Sequence, residues 1–151
     1  MAKKKGNEEL LYIASTAPSV AADAADAAYN LFSNATSTSL TIESDEIDGS
    51  DKDTGAFGDP YPGIKNITLE VGFNRDFTGP TAQAAVETAA LATTVAGATL
   101  WGLLTTDVAA DEGRHFSGRV TGFSLNSDHS GIGTGSLTLK LSGAYTVFTE
   151  A

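Results

Sequence analysis

Two segments in which apolar and polar side chains alternate, with a long acidic stretch between them, constrain the fold of this chain most. In residues 40–48 the apolar Leu40 and Ile42 alternate with polar neighbours, and residues 64–73 show the same two-residue period. Such a period is typical of strands that bury one face and solvate the other. The stretch between them, residues 49–63, is much longer than the two to five residues of a common hairpin turn. We therefore predict a long β-hairpin whose loop has a function.

Four further segments favour strands, so we expect a mainly β chain. One of them, residues 98–105, is apolar on both faces, which is typical of a central strand that is covered on both sides. In another, residues 115–126, the apolar face changes near Gly122, which indicates a β-bulge. The four segments are Leu10–Ala14, Ala98–Thr105, His115–Asn126 and Gly135–Thr149.

One helical segment, residues 80–96, is predicted to flank these strands. Pro80 suits the first turn of a helix because it lacks the N–H that would have no partner there. Gly97 can end the helix in the left-handed conformation. The Ala-rich segment 19–30, with Ser19 as a cap, is predicted to form a second, short helix. The candidate buried positions of the first helix are mostly small: Val86, Ala89, Ala90 and Val95.

Composition restricts the classes of function. The 151 residues favour a single domain, 1–151, with a charged N-terminal arm, residues 1–9, that lacks periodicity. The formal net charge of −10 argues against direct nucleic-acid binding, which needs clustered Lys and Arg. There is no cysteine, which excludes disulfides, thiol nucleophiles and Cys-rich zinc sites. We expect neither a signal peptide nor a membrane span, because the apolar run that each requires is missing.

No catalytic or cofactor-binding pattern is evident, so we expect a protein that is not an enzyme and that uses no cofactor or metal. His115 and His129 lack ligand spacing, and no nucleotide-binding or zinc-protease motif occurs. Seven acidic residues lie between Glu43 and Asp59, but their spacing does not match an EF-hand. A non-standard calcium site stays open as an alternative. A solvated acidic loop, or one that pairs with a basic partner, is favoured.

The acidic stretch and its flanks carry a family resemblance. The chain reads Ile47-Asp48, then Ser50-Asp51-Lys52-Asp53-Thr54-Gly55, and then Pro62-Gly63. This order, followed by a helix, a Leu-rich strand, a Gly-containing strand and a Ser-Leu-Thr-Leu-x-Leu-Ser-Gly run ending at Gly143, resembles the major tail tube proteins of long-tailed bacteriophages. That family tends to show Ile-Asp, Ser-Lys-Asp-Ser-Gly and Pro-Gly runs, whereas here Asp51 separates Ser from Lys and Thr54 replaces the second Ser. The resemblance covers most of residues 36–147 and gives no counterpart for residues 15–35.

The resemblance implies a β-sandwich- or barrel-like domain with one flanking helix and a long hairpin loop. Six copies would form a ring, and stacked rings would form a hollow tail tube through which DNA passes without specific binding. Related tubes occur in contractile injection systems and gene transfer agents. The implied partners are further copies of the chain, the tape-measure protein and the tail terminator and tip proteins. The implied location is a virion tail that is assembled in the cytoplasm of the bacterial host.

Three groups of residues are candidates for this assembly. We expect the acidic loop to contact a neighbouring subunit or ring through Asp48, Asp51, Lys52, Asp53, Thr54, Gly55, Phe57 and Pro62. The polar rows of the strands are expected to line the lumen: Glu43, Asp45, Asn66, Thr68, Glu70, Ser136, Thr138 and Lys140. Two interpretations stay open for the N-terminal arm: a frayed terminus, or a basic arm that docks on acidic neighbours through Lys3, Lys4 and Lys5. The edges of residues 40–48 and 135–149 are predicted to be open and to pair with neighbouring subunits.

Two other classes of function stay open at this point. A monomeric β-rich module that binds a ligand or carbohydrate would use stacking aromatic side chains, and Phe57, Tyr61 and Trp101 are the candidates. A small hydrolase would use Asp and His side chains, which are not clustered along this sequence. The mass of the protein in solution separates the first class from a ring.

Overall fold

The computed structural model describes residues 9–32, 34–49, 60–75, 82–106, 108–127 and 129–150. Within these ranges the chain forms seven strands and two helices. The strands are β1 (Leu10–Ala14), β2 (Asn30–Leu31), β3 (Ala35–Asp48), β4 (Pro60–Asn74), β5 (Thr99–Thr105), β6 (Glu112–Asn126) and β7 (Thr134–Thr149). The helices are α1 (Ala82–Leu91) and α2 (Val95–Ala98).

The seven strands belong to one antiparallel sheet, in the order β2-β1-β5-β6-β7-β4-β3. The sheet curls around its own core, since Leu11 of β1 and Leu69 of β4 share one buried cluster although three strands separate β1 from β4. Because side chains alternate along each strand, one face of the sheet supplies this core and the other faces outward. The prediction of a mainly β, barrel-like fold is confirmed.

Helix α1 packs small side chains into the core, where Ala82, Val86 and Ala89 are buried. Their spacing places them on one side of the helix, and their size permits close approach to the sheet. Two other positions that were predicted to be buried, Ala90 and Val95, are exposed. Ala90 follows Ala89 and so lies on another side of α1, and Val95 comes after the helix has ended. In the described part of the chain, neither helix is long and apolar enough to span a membrane.

The predicted single helix over residues 80–96 is interrupted. Helix α1 ends at Leu91, and α2 begins at Val95 after Thr94, which is extended (φ −107°, ψ 151°). The Thr94 hydroxyl accepts a hydrogen bond from the Gly97 N–H at 3.2 Å. A hydroxyl that caps in this way starts a new helix instead of continuing the old one. Gly97 therefore lies inside α2 and does not end a longer helix.

Strand β5 is covered on both faces, as predicted. Leu100 and Leu104 belong to the main core. Leu103 belongs to a second buried cluster on the opposite face, together with Ala14 and Tyr29. The Ala-rich segment before β2 supplies the cover for this second face, because half-buried alanines of that segment pack against the cluster.

The Ala-rich segment 19–30 forms a series of turns, and the prediction of a helix there is wrong. Its backbone hydrogen bonds run from Asp23 N to Val20 O (3.2 Å), from Asp26 N to Asp23 O (3.1 Å) and from Tyr29 N to Asp26 O (3.1 Å). The turns thus repeat every three residues, in step with the spacing of the aspartates.

Hydrogen bonds to the aspartate side chains explain why turns replace the helix. The Asp23 carboxylate accepts a hydrogen bond from the Ala25 N–H at 2.9 Å. The Asp26 carboxylate accepts from the Ala28 N–H at 3.0 Å and from the Val20 N–H at 2.8 Å. The same bonds, that from Ala28 first, hold the pKa of Asp26 below its ordinary value. Asx-turns of this kind satisfy N–H groups that a helix would otherwise use.

The β3–β4 hairpin extends further than predicted. Its register runs to the pair Asp48–Pro60, so residues 60–63 belong to β4 and not to the loop. Proline is tolerated in this part of β4 because β7 pairs with β4 only from Thr68 onward and leaves one edge uncovered. Asp48 and Pro62, which were predicted to be loop contacts, are therefore part of the strand ladder.

The β6–β7 ladder contains the predicted bulge. Its register shifts between Val120 and Gly122. The shift lets Phe123 pack against the main core, although the parity of the strand before the bulge would turn it outward. Gly122 consequently lies opposite Thr138, on the outer face of the sheet.

Candidate functional site

The outer face of strands β3, β4, β7 and β6 carries polar side chains and is called the polar face below. In its ladder Thr68 lies opposite Lys140, and Glu70 lies opposite Thr138. Residues that were predicted to line a lumen occupy this face on three adjacent strands: Glu43, Asp45, Asn66, Thr68, Glu70, Ser136, Thr138 and Lys140. The structure thus brings these residues together on one surface, and their position relative to a lumen stays a prediction.

Strand β6 adds Arg119 to the polar face, a residue that the sequence analysis did not select. Arg119 lies directly opposite Lys140, which in turn lies opposite Thr68. The signal was present in the sequence, because Arg119 stands between Gly118 and Val120, which belong to the apolar row of the same strand.

Arg119 and Lys140, called the basic pair below, place two positive charges side by side. Directly opposed residues of neighbouring strands have Cβ atoms about 5 Å apart, and like charges at that spacing are destabilising. Both side chains are exposed, and neither forms an ion pair with any described residue. Glu70, which is diagonal to Lys140 in the ladder, does not pair with it either. The basic pair therefore brings no favourable ion pair to the described part of the chain.

Two carboxylates that have no ion-pair partner among the described residues lie at the other end of the polar face. Glu43 and Asp45, called the acidic edge below, project from β3, the last strand of the sheet. Both are exposed, and no cation among the described residues forms an ion pair with them. The polar face is thus basic on its β6–β7 side and acidic on its β3 side.

The two outermost strands of the polar face, β3 and β6, each have an open backbone edge on their outer side. Strand β3 is last in the sheet, so its outer edge, Ala35–Asp48, pairs with no strand of the described chain. Strand β6 pairs with β5 only as far as Arg119, so the same edge of Val120–Asn126 is also unpaired within the described residues. Unpaired N–H and C=O groups along such edges are templates for another strand.

The predicted open edge of residues 135–149 is wrong for its first half. Strand β7 lies between β6 and β4, and Thr134–Lys140 pair on both sides. Beyond Lys140 the pairs of β7 within the described chain are with β6 only. Alternation along a segment reveals which face is apolar, but it does not reveal the position of the strand in the sheet.

Between Thr68 and the loop, the β3–β4 hairpin no longer pairs with β7 and extends from the sheet as a two-stranded hairpin arm. This hairpin arm comprises Ile42–Asp48 and Pro60–Ile67, which pair with each other and not with β7. Three of its isoleucines are more than half exposed: Ile42 (56%), Ile47 (57%) and Ile64 (73%). A two-stranded hairpin is marginally stable by itself, and exposed apolar side chains on it indicate a contact surface.

Gly63 in the hairpin arm is required by a close approach of the two strands. The ladder shifts register between Ser44 and Glu46, directly opposite this glycine. A Cβ at Gly63 would lie 2.8 Å from the Asp45 carbonyl oxygen, which is too close for any side chain. The Pro-Gly run that contributes to the sequence resemblance thus has a structural reason.

An open cavity of about 300 Å³ lies between α1 and β6. It is lined by Glu87, Ala90, Leu91, Val120, Thr121, Gly122 and Phe123. This volume is at the lower limit of small-molecule pockets, and Glu87 is the one charged residue of the lining. The cavity therefore offers little chemistry for a polar ligand.

The aromatic cleft that a ligand-binding module would need is not formed by the predicted residues. Trp101 lies on β5 and packs against the second buried cluster. Tyr61 lies on β4, and strands β6 and β7 separate β4 from β5 in the sheet. Phe57 lies outside the described residues.

Several predicted contact residues cannot be placed because they lie outside the described ranges: Lys3, Lys4, Lys5, Asp51, Lys52, Asp53, Thr54, Gly55 and Phe57. Most of the acidic loop is among them. Pro80, the predicted first residue of the helix, also lies outside these ranges. Among the residues that the structure does describe, no group of three or more His, Asp and Glu side chains is close enough to hold a metal ion.

Comparison with known proteins finds likeness in structure and not in sequence. No protein-family model matches the chain, and no curated protein sequence matches it significantly. A chain from the tail of an empty gene transfer agent particle, refined with C6 symmetry, superposes with a TM-score of 0.73 at 9% identity, over 97% of this chain and 100% of that chain. A chain of the SPP1 tail tube gives a TM-score of 0.69 at 18% identity, over 97% and 79%. A chain of the anti-feeding prophage baseplate, symmetrised six-fold, gives 0.60 at 7%, over 99% and 97%.

These superpositions include nearly the whole of this chain although few residues are shared. Their common content is the backbone path, and in the described part of this chain that path is mainly a curled antiparallel sheet. Physical requirements such as an alternating pattern and a close approach at Gly63 can preserve such a path without preserving residue identity. The chain therefore has the fold of phage-type tail-tube proteins.

Proposed function

We propose that this chain is the protomer of a hollow tail tube, built from stacked rings of identical copies. The observation that carries the proposal is a polar face that ends in two open edges, on β3 and on β6. The fold shared with chains of the SPP1 tail tube and of a gene transfer agent tail supports it.

Ring closure joins the β3 edge of one copy to the β6 edge of the next. Within one copy the strands β6, β7, β4 and β3 alternate in direction, so β3 runs opposite to β6. Copies that are related by rotation about a ring axis keep their strand directions. A neighbouring β6 that is placed beside β3 is therefore antiparallel to it and extends the ladder. Repetition of this head-to-tail contact closes into a ring in which neither the β3 edge nor the β6 edge is open.

Six copies per ring is the number that we propose. The gene transfer agent tail with the same fold was refined with C6 symmetry, and the anti-feeding prophage baseplate was symmetrised six-fold. With four strands of the polar face from each copy, the ring becomes a closed barrel that is too wide for side chains to fill.

The polar face lines the channel of the proposed tube, and DNA passes along it. A conduit must not bind its cargo, because each phosphate contact through Lys or Arg releases counterions and adds affinity. On the polar face Glu43, Asp45 and Glu70 outnumber Arg119 and Lys140, so the wall is net negative.

The hairpin arm and the acidic loop make the contact with the next subunit or ring. The exposed isoleucines of the hairpin arm supply apolar surface for this contact. The loop, residues 49–59, supplies carboxylates, and the basic Lys3–Lys5 of the N-terminal arm is the proposed partner for them.

In this proposal the protein is a structural component of a virion tail and has no enzymatic activity. Its further partners are the tape-measure protein and the proteins that end the tube, and it is assembled in the cytoplasm of the bacterial host. A monomeric ligand-binding module is not favoured, because β6 and β7 lie between the strands that carry Trp101 and Tyr61.

Light scattering combined with negative-stain microscopy of the purified chain tests the proposal. With rising protein concentration we expect a transition from subunits to rings and tubes with a central channel. A protein that stays monomeric over the whole range, in a buffer in which tailed virions remain intact, would contradict the proposed function.

A further inference from the structure

We propose that the basic pair of one copy binds the acidic edge of the next copy across the β3–β6 contact. This inference rests on the proposed tube, and it names the side chains that select the neighbour within a ring. The partner is a second copy of this chain, recognised by opposite charge at two places on one continuous surface.

The basic pair and the acidic edge both lack ion-pair partners in the described chain. Arg119 and Lys140 repel each other across the ladder, and no described carboxylate forms an ion pair with either. Glu43 and Asp45 likewise form no ion pair with a described cation. One contact between copies satisfies all four charges, and it relieves the cross-strand repulsion that the fold otherwise retains.

The basic pair and the acidic edge both lie beside the open backbone edges of the sheet. The open edge of β6 begins directly after Arg119, and the acidic edge lies on β3, whose outer side is open along its length. A neighbouring strand that joins a ladder lies about 4.8 Å away. The contact that extends the sheet therefore places the two charged groups on adjacent strands.

The basic pair and the acidic edge lie at similar positions along the strand direction. Thr41 shares a cross-strand row with Lys140, because both lie opposite Thr68. Glu43 and Asp45 are the next two positions on the same face of β3. Closing a ring of tilted strands staggers neighbours along the strand direction. Arg and Lys side chains also reach diagonal positions, which makes the acidic edge accessible to the basic pair.

This pairing also excludes the wrong contacts. An open β3 edge can pair with another β3, and an open β6 edge with another β6, and either contact would aggregate the protein instead of closing a ring. Opposed acidic edges repel each other, and so do opposed basic pairs. The charges thus permit only the head-to-tail contact that a ring requires. In a closed ring the carboxylates of the neighbour also engage the basic pair, which withdraws these cations from DNA phosphates in the channel.

Two charge-reversed variants test the inference. The acidic variant carries Arg119→Glu and Lys140→Glu, so that both of its interacting surfaces are negative. The basic variant carries Glu43→Lys and Asp45→Lys, so that both are positive. Each variant alone is expected to need at least about tenfold more protein than the wild type to assemble. A 1:1 mixture is expected to assemble close to the wild-type concentration, because a six-membered ring can alternate the two variants.

Two controls separate loss of the contact from loss of the fold. The single variant Arg119→Glu places a carboxylate opposite Lys140 within the chain, so the thermal midpoint of the subunit should stay constant or rise while assembly weakens. Arg114→Glu changes charge on the same strand but outside the polar face, where Arg114 is 3.8 Å from Glu112. This control should assemble like the wild type.

The outcomes distinguish the inference from the function on which it rests. Assembly of the acidic variant at the wild-type concentration, or failure of the mixture to assemble while each variant is folded, overturns the charge pairing and leaves the tube in place. Failure of the wild type itself to form rings or tubes overturns both. Mutual rescue in the mixture supports the pairing, because a defect in folding of each variant cannot be repaired by mixing.

Discussion

The Tyr29 hydroxyl connects two of the Ala-rich turns, which cover the second buried cluster. It donates a hydrogen bond to the Ala21 carbonyl oxygen at 2.7 Å. Burial, and then the negative charge of Asp26, raises the pKa of Tyr29 to about 12. An unfolded tyrosine titrates near pH 10. Between about pH 10 and 12 the unfolded chain therefore loses a proton that the folded chain retains, so folding stability is complete below this window and falls within it.

The variant Tyr29→Phe measures this hydrogen bond. We expect the free energy of unfolding at neutral pH to fall by about 1 kcal/mol, and the loss of stability between about pH 10 and 12 to become smaller because the titrating group is gone. Urea unfolding at several pH values provides the measurement. Tyr145→Phe is the control, since the Tyr145 hydroxyl makes no hydrogen bond within the described residues. An unchanged alkaline profile in Tyr29→Phe would contradict the assignment.

Gly63 allows a second prediction at this scale. A methyl group there would lie 2.8 Å from the Asp45 carbonyl oxygen, so Gly63→Ala must displace one strand of the hairpin arm. We expect tube assembly to fail while the thermal midpoint of the subunit changes little, because the hairpin arm lies outside the core. Normal tubes from Gly63→Ala would show that this close approach is not needed.

At the scale of elements, the two-residue period carried most of what could be predicted. The apolar run Leu10–Ala14 located β1, the lack of alternation identified β5 as covered on both faces, and a change of phase indicated the bulge near Gly122. These features depend on which side chains need burial, and burial is visible in the pattern. The alternation in β6 also places Arg119 on the polar face, so this residue was predictable from the sequence.

Features that depend on competition between hydrogen bonds, or on neighbours distant in sequence, were not predictable in this way. Alanines favour a helix in segment 19–30, but the Asp23 and Asp26 carboxylates take the N–H groups and favour turns. The hydroxyl of Thr94 interrupts a segment that also favours a helix. The placement of β7 between β6 and β4 depends on the order of strands in the sheet, and alternation within one segment does not reveal that order.

The hairpin loop gives the prediction that belongs to this scale. Because Asp48 and Pro60 are paired, residues 49–59 can be replaced by Asn-Gly, a turn suited to closing two paired strands. We expect the shortened subunit to keep its free energy of unfolding within about 0.5 kcal/mol. It should form rings that do not lengthen into tubes. Electron microscopy of both proteins at equal concentration provides the measurement, and tubes of normal length from the shortened subunit would rule out the assembly role of the loop.

At the scale of the whole molecule, an isolated copy leaves three kinds of group unsatisfied. The outer edge of β3 has no partner strand in the described chain, the hairpin arm exposes isoleucines, and the basic pair and the acidic edge have no counter-charges there. Sheet proteins that function as monomers usually protect such edges. In the proposed tube, head-to-tail copies pair the β3 and β6 edges and the opposite charges together, and stacked rings cover the hairpin arm.

A density map of the assembled tube at side-chain resolution tests the central claim most directly. The account predicts that Glu70 and Thr138 face the channel, that Leu69 and Leu139 are hidden in the wall, and that β3 of each copy lies beside β6 of the next. Leu69 and Leu139 pointing into the channel, or β3 lying on the outer surface without a neighbouring strand, would contradict it.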